Sequence, residues 1–358
     1  MSSIELKIAG QIYSGWKTAD ITRSLNCIAS SFDLTVSDRF IGSKKNIPLD
    51  EECQILVDGK PVITGYLDQI APSYNESSHE VKFSGRSKTC DLVDCSAIID
   101  SGQIIGGTAR EILESVLRPF GISLVFNSSG TLPPISDFQV QPGETAQSIV
   151  EKVCKQTGMI YTDDENGNLV VQSIGNGGST GKLVHKISDG SGNNVLSASG
   201  TYSSRECFRD YYVKSQMAGS DEIGGEDITG IEGHVTDNEI KRYRPIVLTA
   251  ESSMDAATAQ TRAEWERSNR RGKGQSWEYI VQGWCNSAGK LWSPNSFISI
   301  EDDYIRVKGQ LIISGIKLSA GSGTKASLKV SPPDAFILSS AEQNIKTYQG
   351  WKELREGV

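Results

Sequence analysis

The chain has little of what catalytic and metal centres are built from. Only three of its 358 residues are histidines, His79, His185 and His234. None stands at ligand spacing from a cysteine or from another histidine. A structural zinc site needs four converging ligands. Cys90 and Cys95 come nearest, with four residues between them and no second pair downstream. They read as two buried thiols beside a helical turn, and no metal or cofactor is expected. Long apolar runs are missing too, none approaching the ~20 residues of a membrane span. The opening MSSIELKIAG has no basic start and no apolar stretch, so no secretory signal is expected. Positive charge is scarce: 36 Lys and Arg against 44 Asp and Glu give a net charge of −8. That argues against an open nucleic-acid-binding surface, and the longest basic cluster is only Arg270-Arg271-Gly272-Lys273. The seven cysteines are odd in number and scattered, which fits reduced, buried thiols in a protein made in the cytosol.

Motifs for nucleophilic or phosphate chemistry occur only as near misses. Gly177-Gly178-Ser179-Thr180-Gly181 spells G-x-S-x-G, but a nucleophile elbow follows an apolar strand and opens a helix. Here a polar glycine stretch comes first and a short strand follows. The same run ends in Gly-Lys, yet Asn176 stands where a P-loop needs glycine and Leu183 where it needs Ser or Thr. Ser14 to Lys17 and Ser314 to Lys317 fit S-x-x-K, both in predicted strand context. Glycoside hydrolysis needs two acids about 5 to 9.5 Å apart; Asp302-Asp303 and Asp163-Asp164-Glu165 lie at predicted turns and read as solvated acids. Trp277, Trp284 and Trp292 fall in predicted strands and read as core or interface rather than as a sugar platform. No catalytic, cofactor-binding or metal residue is assigned, and the chain is read as not an enzyme.

What is present is short-period alternation. The length fits two to three domains. From Ile4 to Phe83, apolar residues alternate with polar ones in runs such as Phe32-Leu34-Val36 and Cys53-Ile55-Val57, and Asp58-Gly59 marks a two-residue hairpin. Residues 1–85 are expected to form a first barrel-like β domain. The period then changes. Thr108 to Glu111 has capping-box spacing, with Ala109, Ile112, Leu113, Val116 and Leu117 on one helical face. A second helix is predicted from about Thr145 to Thr157, closed by Gly158. A strand at Ile122 to Phe126 and a hairpin at Met159 to Gln172 complete a mixed α/β domain over 86–173. Residues 174–335 are expected to form a second barrel-like β domain. It opens on a flexible glycine stretch at 175–181, contains an acidic, glycine-rich flexible loop at 216–233, and carries a helix at about 253–271 with Met254, Ala257, Thr261 and Trp265 on its face. Ser276 to Leu318 reads as a meander of four or five strands. Residues 336–358 form a C-terminal tail with rough helical spacing. The fold class is mainly β with α+β insertions. A weak internal echo links Cys53 to Leu67 with Phe297 to Ile316: each is a strand, an acidic turn, and a strand carrying a hydroxyl residue before glycine.

Three stretches carry a resemblance: FSGRSKTCDLVDCSA (Phe83 to Ala97), QPGETAQSIVEKVCKQTGMIYTDDENGNL (Gln141 to Leu169), and AEWERSNRRGKGQSWEYIVQGWCNSAGKLWSPN (Ala263 to Asn295) with the following LIISGIKL and SPPDAF. By their order and spacing the chain resembles the baseplate hub proteins of Mu-like contractile-tailed phages, over about residues 4 to 336. The resemblance implies a structural homotrimer with two barrel-like domains per chain. It would form a ring joining the tail tube to the central spike and would meet other baseplate proteins. DNA would pass through the ring without specific binding. The expected place is the virion tail baseplate, after assembly in the bacterial cytoplasm, with no membrane span.

Two other readings remain beside this one. A phage-like secretion machine uses a similar hub, but there the chain normally continues into a repetitive spike domain; this sequence ends at Val358, which favours the phage version. A tail-associated peptidoglycan hydrolase with paired carboxylates would instead require a cleft in which one acid is flanked by apolar side chains.

Overall fold

In a computed structural model the described residues are 3–37, 47, 49–98, 103–127, 135–188, 190–215, 231–250 and 256–336. The N-terminal strands are β1 (Ile4–Ile8), β2 (Gln11–Tyr13), β3 (Thr18–Ser24), β4 (Ser31–Ser37), β5 (Glu52–Val57), β6 (Lys60–Tyr74) and β7 (His79–Ser87). Alternation puts Phe32, Leu34 and Val36 of β4 and Cys53, Ile55 and Val57 of β5 inward. The β5–β6 hairpin turns at Asp58-Gly59, both with positive φ (50° and 76°), as its two-residue loop requires.

The mixed region holds α1 (Cys90–Asp94), β8 (Gln103–Gly107), α2 (Ala109–Leu117), β9 (Leu124–Asn127), β10 (Ile135–Gln139), α3 (Ala146–Thr157), β11 (Ile160–Asp163) and β12 (Leu169–Gln172). The capping box at Thr108 and Glu111 forms in full. Gly158 ends α3 in the left-handed conformation, φ 63°. The buried faces of α2 and α3 share one core with residues of the β11–β12–β9 sheet. The predicted helices and hairpin are there, and α1 is the helical turn read at Cys90; the β8–β10 ribbon had no clear sequence signal.

The remaining elements are β13 (Ser179–His185), β14 (Ser197–Tyr202), β15 (Asp210–Ser215), β16 (Ile231–Thr236), β17 (Pro245–Thr249), α4 (Ala256–Lys273), β18 (Gln275–Gln282), β19 (Phe297–Asp302), β20 (Val307–Ala320) and β21 (Thr324–Ser331). The expected meander from Ser276 to Leu318 is corrected. Only β18, β19 and β20 lie there, and β18 pairs with β14 and β21 rather than with β19. A long connection carries the chain from β18 to β19, so that β18 lies beside β21 in Greek-key order.

The two β regions follow one plan. The first ladder runs β3-β4-β7-β6-β5-β1 and the second β14-β18-β21-β20-β19-β13. With β2 and the inserted β15–β17 set aside, and the rest numbered within each region, both read 2-3-6-5-4-1. Each long central strand carries an irregularity at the same distance from its hairpin turn, between Leu67 and Gln69 and between Ile313 and Gly315. The core residues Phe32, Leu34 and Val36 correspond to Trp277, Tyr279 and Val281. The sequence echo is thus the β5–β6 and β19–β20 hairpins at matching places. Three things differ: the first region adds the short β2 outside β1, β13 runs parallel to β19 whereas β1 runs antiparallel to β5, and the second region has β15–β17 and α4 inserted between β14 and β18.

Among the described residues neither region closes into a barrel. They share one 13-stranded sheet, because Gly315–Ala320 of β20 pairs with Ala19–Ser24 of β3. One hydrophobic cluster runs through both, from Leu6 and Phe32 to Trp277 and Leu328.

Three expectations within 174–335 need correction. The glycine stretch at 175–181 is close-packed at Gly175 and Gly177, while Gly178 has open space around it. A Cβ on Gly175 would lie 2.2 Å from the Phe297 ring, and one on Gly177 would lie 2.5 Å from Ser296 Oγ. Gly175 N–H donates to Asn295 Oδ1 at 2.6 Å and Gly177 N–H to Asn295 O at 3.0 Å. Glycine here permits close approach rather than flexibility. Second, α4 turns Ala259, Ala263, Trp265, Glu266, Asn269 and Gly272 inward, while Ala257 is exposed. A Cβ on Gly233 would meet Ala259 O at 2.1 Å, so small residues set this helix–sheet distance. Met254 lies outside the described residues. Third, the loop expected at 216–233 gives way to β16 at Ile231; residues 216–230 lie outside the described set, as do residues 337–358 of the expected tail.

Candidate assembly interface

The residues nominated for chemistry are dispersed and bound to structural tasks. Asp163 is not a solvated acid but 1% exposed. Its Oδ2 accepts from Ser30 N–H at 3.1 Å and its Oδ1 from Ser30 Oγ at 2.6 Å. Arg23 Nη2 donates to the Asp163 carbonyl at 2.8 Å and Thr162 Oγ1 to Ser24 O at 3.1 Å. The β11–β12 hairpin is thereby fastened to the first β region. Asp164 folds its own turn, accepting from Asn166 and Asn168. Asp302 is also buried, 4% exposed, and accepts from the N–H groups of Tyr304 and Ile305 at 2.9 Å. A carboxylate occupied by backbone donors in this way closes a turn. Asp303 is exposed and accepts from Ile187 N–H at 3.3 Å.

The histidines are apart from one another. His79 is exposed and stacks on Tyr74 at 5.9 Å, His234 stacks on Tyr212 at 4.4 Å with Nε2 3.3 Å from Asp210, and His185 ends β13. Among the described residues no group of His, Cys, Asp or Glu could hold a metal ion. Cys95 is exposed, which corrects the expectation of two buried thiols; Cys90 alone faces inward. Burial pushes the Cys53 and Cys90 thiols up to about 12, and it raises the Cys154 thiol as well. Such thiols stay protonated and inert. Ser179 begins a strand instead of topping an elbow, and Ser14 to Lys17 lies in the connection between β2 and β3. Trp277, Trp284 and Trp292 are all buried in the large core, as read, although Trp284 and Trp292 sit outside strands. Trp284 Nε1 donates to Ser319 O at 3.0 Å.

What the fold does build is seams. Along β3 and β20, Ala19, Ile21, Ile316 and Leu318 are almost completely buried. On the other face Ser319 Oγ donates to Asp20 Oδ1 at 2.6 Å, and Lys317 Nζ lies 3.3 Å from Asp20 Oδ2. Arg86 ties Asp68 to Asp94 with contacts of 2.7 Å each, holding β6, β7 and α1 together. Exposed large apolar residues include Tyr74, Leu196, Tyr243, Val247 and Tyr304. Nothing in sequence separated them from buried aromatics, because alternation assigns a face and not what covers it.

A chain whose polar groups are spent on seams, and whose β regions repeat one plan, is of the structural kind that joins parts of an assembly. The comparisons agree. Residues 3–87 match the family of Mu phage baseplate assembly protein GpP-like N-terminal domains, residues 89–173 the second domain of baseplate hub protein gp44-like proteins, and residues 255–339 the fourth domain of Mu phage baseplate assembly protein GpP. Baseplate hub protein gp44 of Escherichia phage Mu is 26% identical over 361 residues, covering 98% of this chain and 92% of that protein. The 43 kDa tail protein of prophage MuSo2 from Shewanella oneidensis is 34% identical, with a TM-score of 0.78 over 94% of this chain and 99% of that one. The tail protein from Neisseria meningitidis MC58 shares the fold, with a TM-score of 0.79 at 21% identity over 93% of this chain and 99% of that one. The chain belongs to the family of Mu-like phage baseplate hub proteins. It is a structural component of a phage or prophage tail baseplate and not an enzyme. Among the described residues no helix is long and apolar enough to cross a membrane.

Proposed function

We infer that three copies of this hub form a ring that joins the tail tube to the central spike. The observation that carries this reading is the repetition of one six-strand plan within the chain. Three chains with two such regions each supply six similar units around an axis. A ring of that kind meets a threefold spike with its true symmetry and a sixfold tube with its approximate one. The organisation that serves it is a first β domain over 1–85, a mixed α/β domain over 86–173, a second β domain over 174–335 and a tail over 336–358. Assembly takes place in the bacterial cytoplasm.

Charge supports passage of DNA without capture. A trimer of chains at −8 each carries −24, and a like-charged wall does not recruit phosphate.

Electron microscopy of the purified full chain tests the reading. Axial class averages should show a closed ring with threefold symmetry and six comparable lobes. Open filaments, or a ring lacking the six lobes, would remove it.

A further inference from the structure

The chain makes one copy of a strand joint and leaves the pieces of a second copy open. Within the chain, Gly315–Ala320 of β20 pairs antiparallel with Ala19–Ser24 of β3. The matching irregularities in β6 and β20 align Gln69–Tyr74 with Gly315–Ala320. The core strands align as well: β4 with β18 through their partners β7 and β21, and then β3 with β14. By that register Ala19 corresponds to Ala198, Ile21 to Gly200 and Arg23 to Tyr202.

The second joint would therefore set Gln69–Tyr74 against Ala198–Ser203. It is not made inside one chain, since six strands separate β14 from β6 in the ladder. Among the described residues β14 pairs only with β18, and the second half of β6 only with β7. Exposure follows the same division. Ala19 and Ile21 are 0% exposed, whereas Ala198 and Gly200 are exposed.

We propose that β14 of one copy pairs antiparallel with Gln69–Tyr74 of a second copy, repeating between chains the β3–β20 joint found within the chain. This rests on the trimer reading above and names the surfaces that would close it. The register sets Ile70 opposite Tyr202, Pro72 opposite Gly200, Ser73 opposite Ser199 and Tyr74 opposite Ala198. The contact is head-to-tail, so three repeats close into a ring when each turns the next copy by a third of a circle. Tyr74 is 83% exposed and arrives beside a cavity lined by His185, Leu196, Ala198 and Tyr304, where Leu196 is 53% and Tyr304 78% exposed. A large aromatic seated in a depression is the usual anchor of an interface, and here Val195, Leu196 and Ile305 line it beside the polar His185, Ser197 and Asp302. Pro72 has no N–H to offer, so this edge has one donor fewer than the β20 edge; proline on an open edge also discourages indiscriminate pairing.

The test is disulfide trapping in the full chain, with exposed Cys27, Cys95 and Cys285 first replaced by serine. Directly opposed residues on neighbouring strands lie about 4.5 to 5.5 Å apart at Cα, within disulfide reach. Ser73→Cys combined with Ser199→Cys should give, on oxidation, a covalent trimer on a denaturing gel that reductant returns to monomer. An equal mixture of the two single variants should stop at covalent dimer, because each chain then carries only one side of the joint. Tyr74→Cys with Ala198→Cys is the second pair. A particle of trimeric mass in which neither pair links would overturn the joint and leave the trimer reading standing. A monomer at every concentration would remove both.

Discussion

Ser319 Oγ donates to Asp20 Oδ1 at 2.6 Å, across 299 residues of sequence. The two lie in the ladder that merges the first and last β regions into one sheet, above the buried pair Ile21 and Leu318. The first and last β regions are therefore one mechanical body.

Truncation in that ladder should be felt by the whole sheet. Leu318→Ala is expected to cost about 2 to 5 kcal/mol, the range for emptying a buried leucine site. Urea unfolding followed by tryptophan fluorescence measures it. A loss below about 1 kcal/mol would mean the joint is soft.

Asp163→Ala should loosen the mixed region from the first β region. It leaves Ser30 with an unpaired buried N–H and hydroxyl, at about 1 to 3 kcal/mol for a group so stranded. Asp163→Asn keeps an acceptor and should recover part of the loss. Hydrogen exchange should show the β11–β12 hairpin opening earlier in the alanine variant.

Gly233→Ala places a Cβ 2.1 Å from Ala259 O. The α4 helix must shift off β16, so amide exchange over 256–273 should speed up while β4 to β7 stay protected. Unchanged exchange in α4 would contradict the close-packed reading.

Acid should weaken the mixed region through Glu144. Burial alone would raise its carboxyl, but hydrogen bonds from Lys152, Ser148 and the Gln141 N–H outweigh that and hold it below its ordinary value of 4.5. A lowered carboxyl stabilises the fold above the unfolded value and loses that contribution as pH falls through the folded one. The loss therefore lies below about pH 4.5, and Glu144→Gln should flatten melting temperature against pH there.

Thiol accessibility divides the seven cysteines. Cys27, Cys95 and Cys285 are exposed, and the others are buried. A thiol reagent at pH 8 should titrate three groups in the native protein and the remaining four only after denaturation.

Much of this was legible in sequence wherever one periodicity ruled. Thr108 with Glu111, Gly158 after α3, and alternation in β4, β5 and β18 each announced their element. Order in space was not. Strand pairing is long-range, so β18 finding β21 and β14 across the sheet leaves no local mark. Glycine misled at 175–181, because the same residue serves a mobile linker and a tight approach to Phe297. Acids misled at Asp163 and Asp302, where a turn in sequence lies beneath other elements in the fold. On the inward face of α4 only Trp265 was legible, because alanine, asparagine and glycine carry too little hydrophobicity to mark the rest. The two like β regions showed only as a faint hairpin echo, since pairing order and bulge position, not residue identity, are what they share.

The most direct measurement is the mass of the purified full chain in solution, by light scattering during size exclusion at two concentrations and two salt levels. The account expects a species at three times 38.8 kDa that survives dilution and salt, since buried strand ladders rather than surface ion pairs would hold it. A chain that stays at 38.8 kDa under every condition would contradict it.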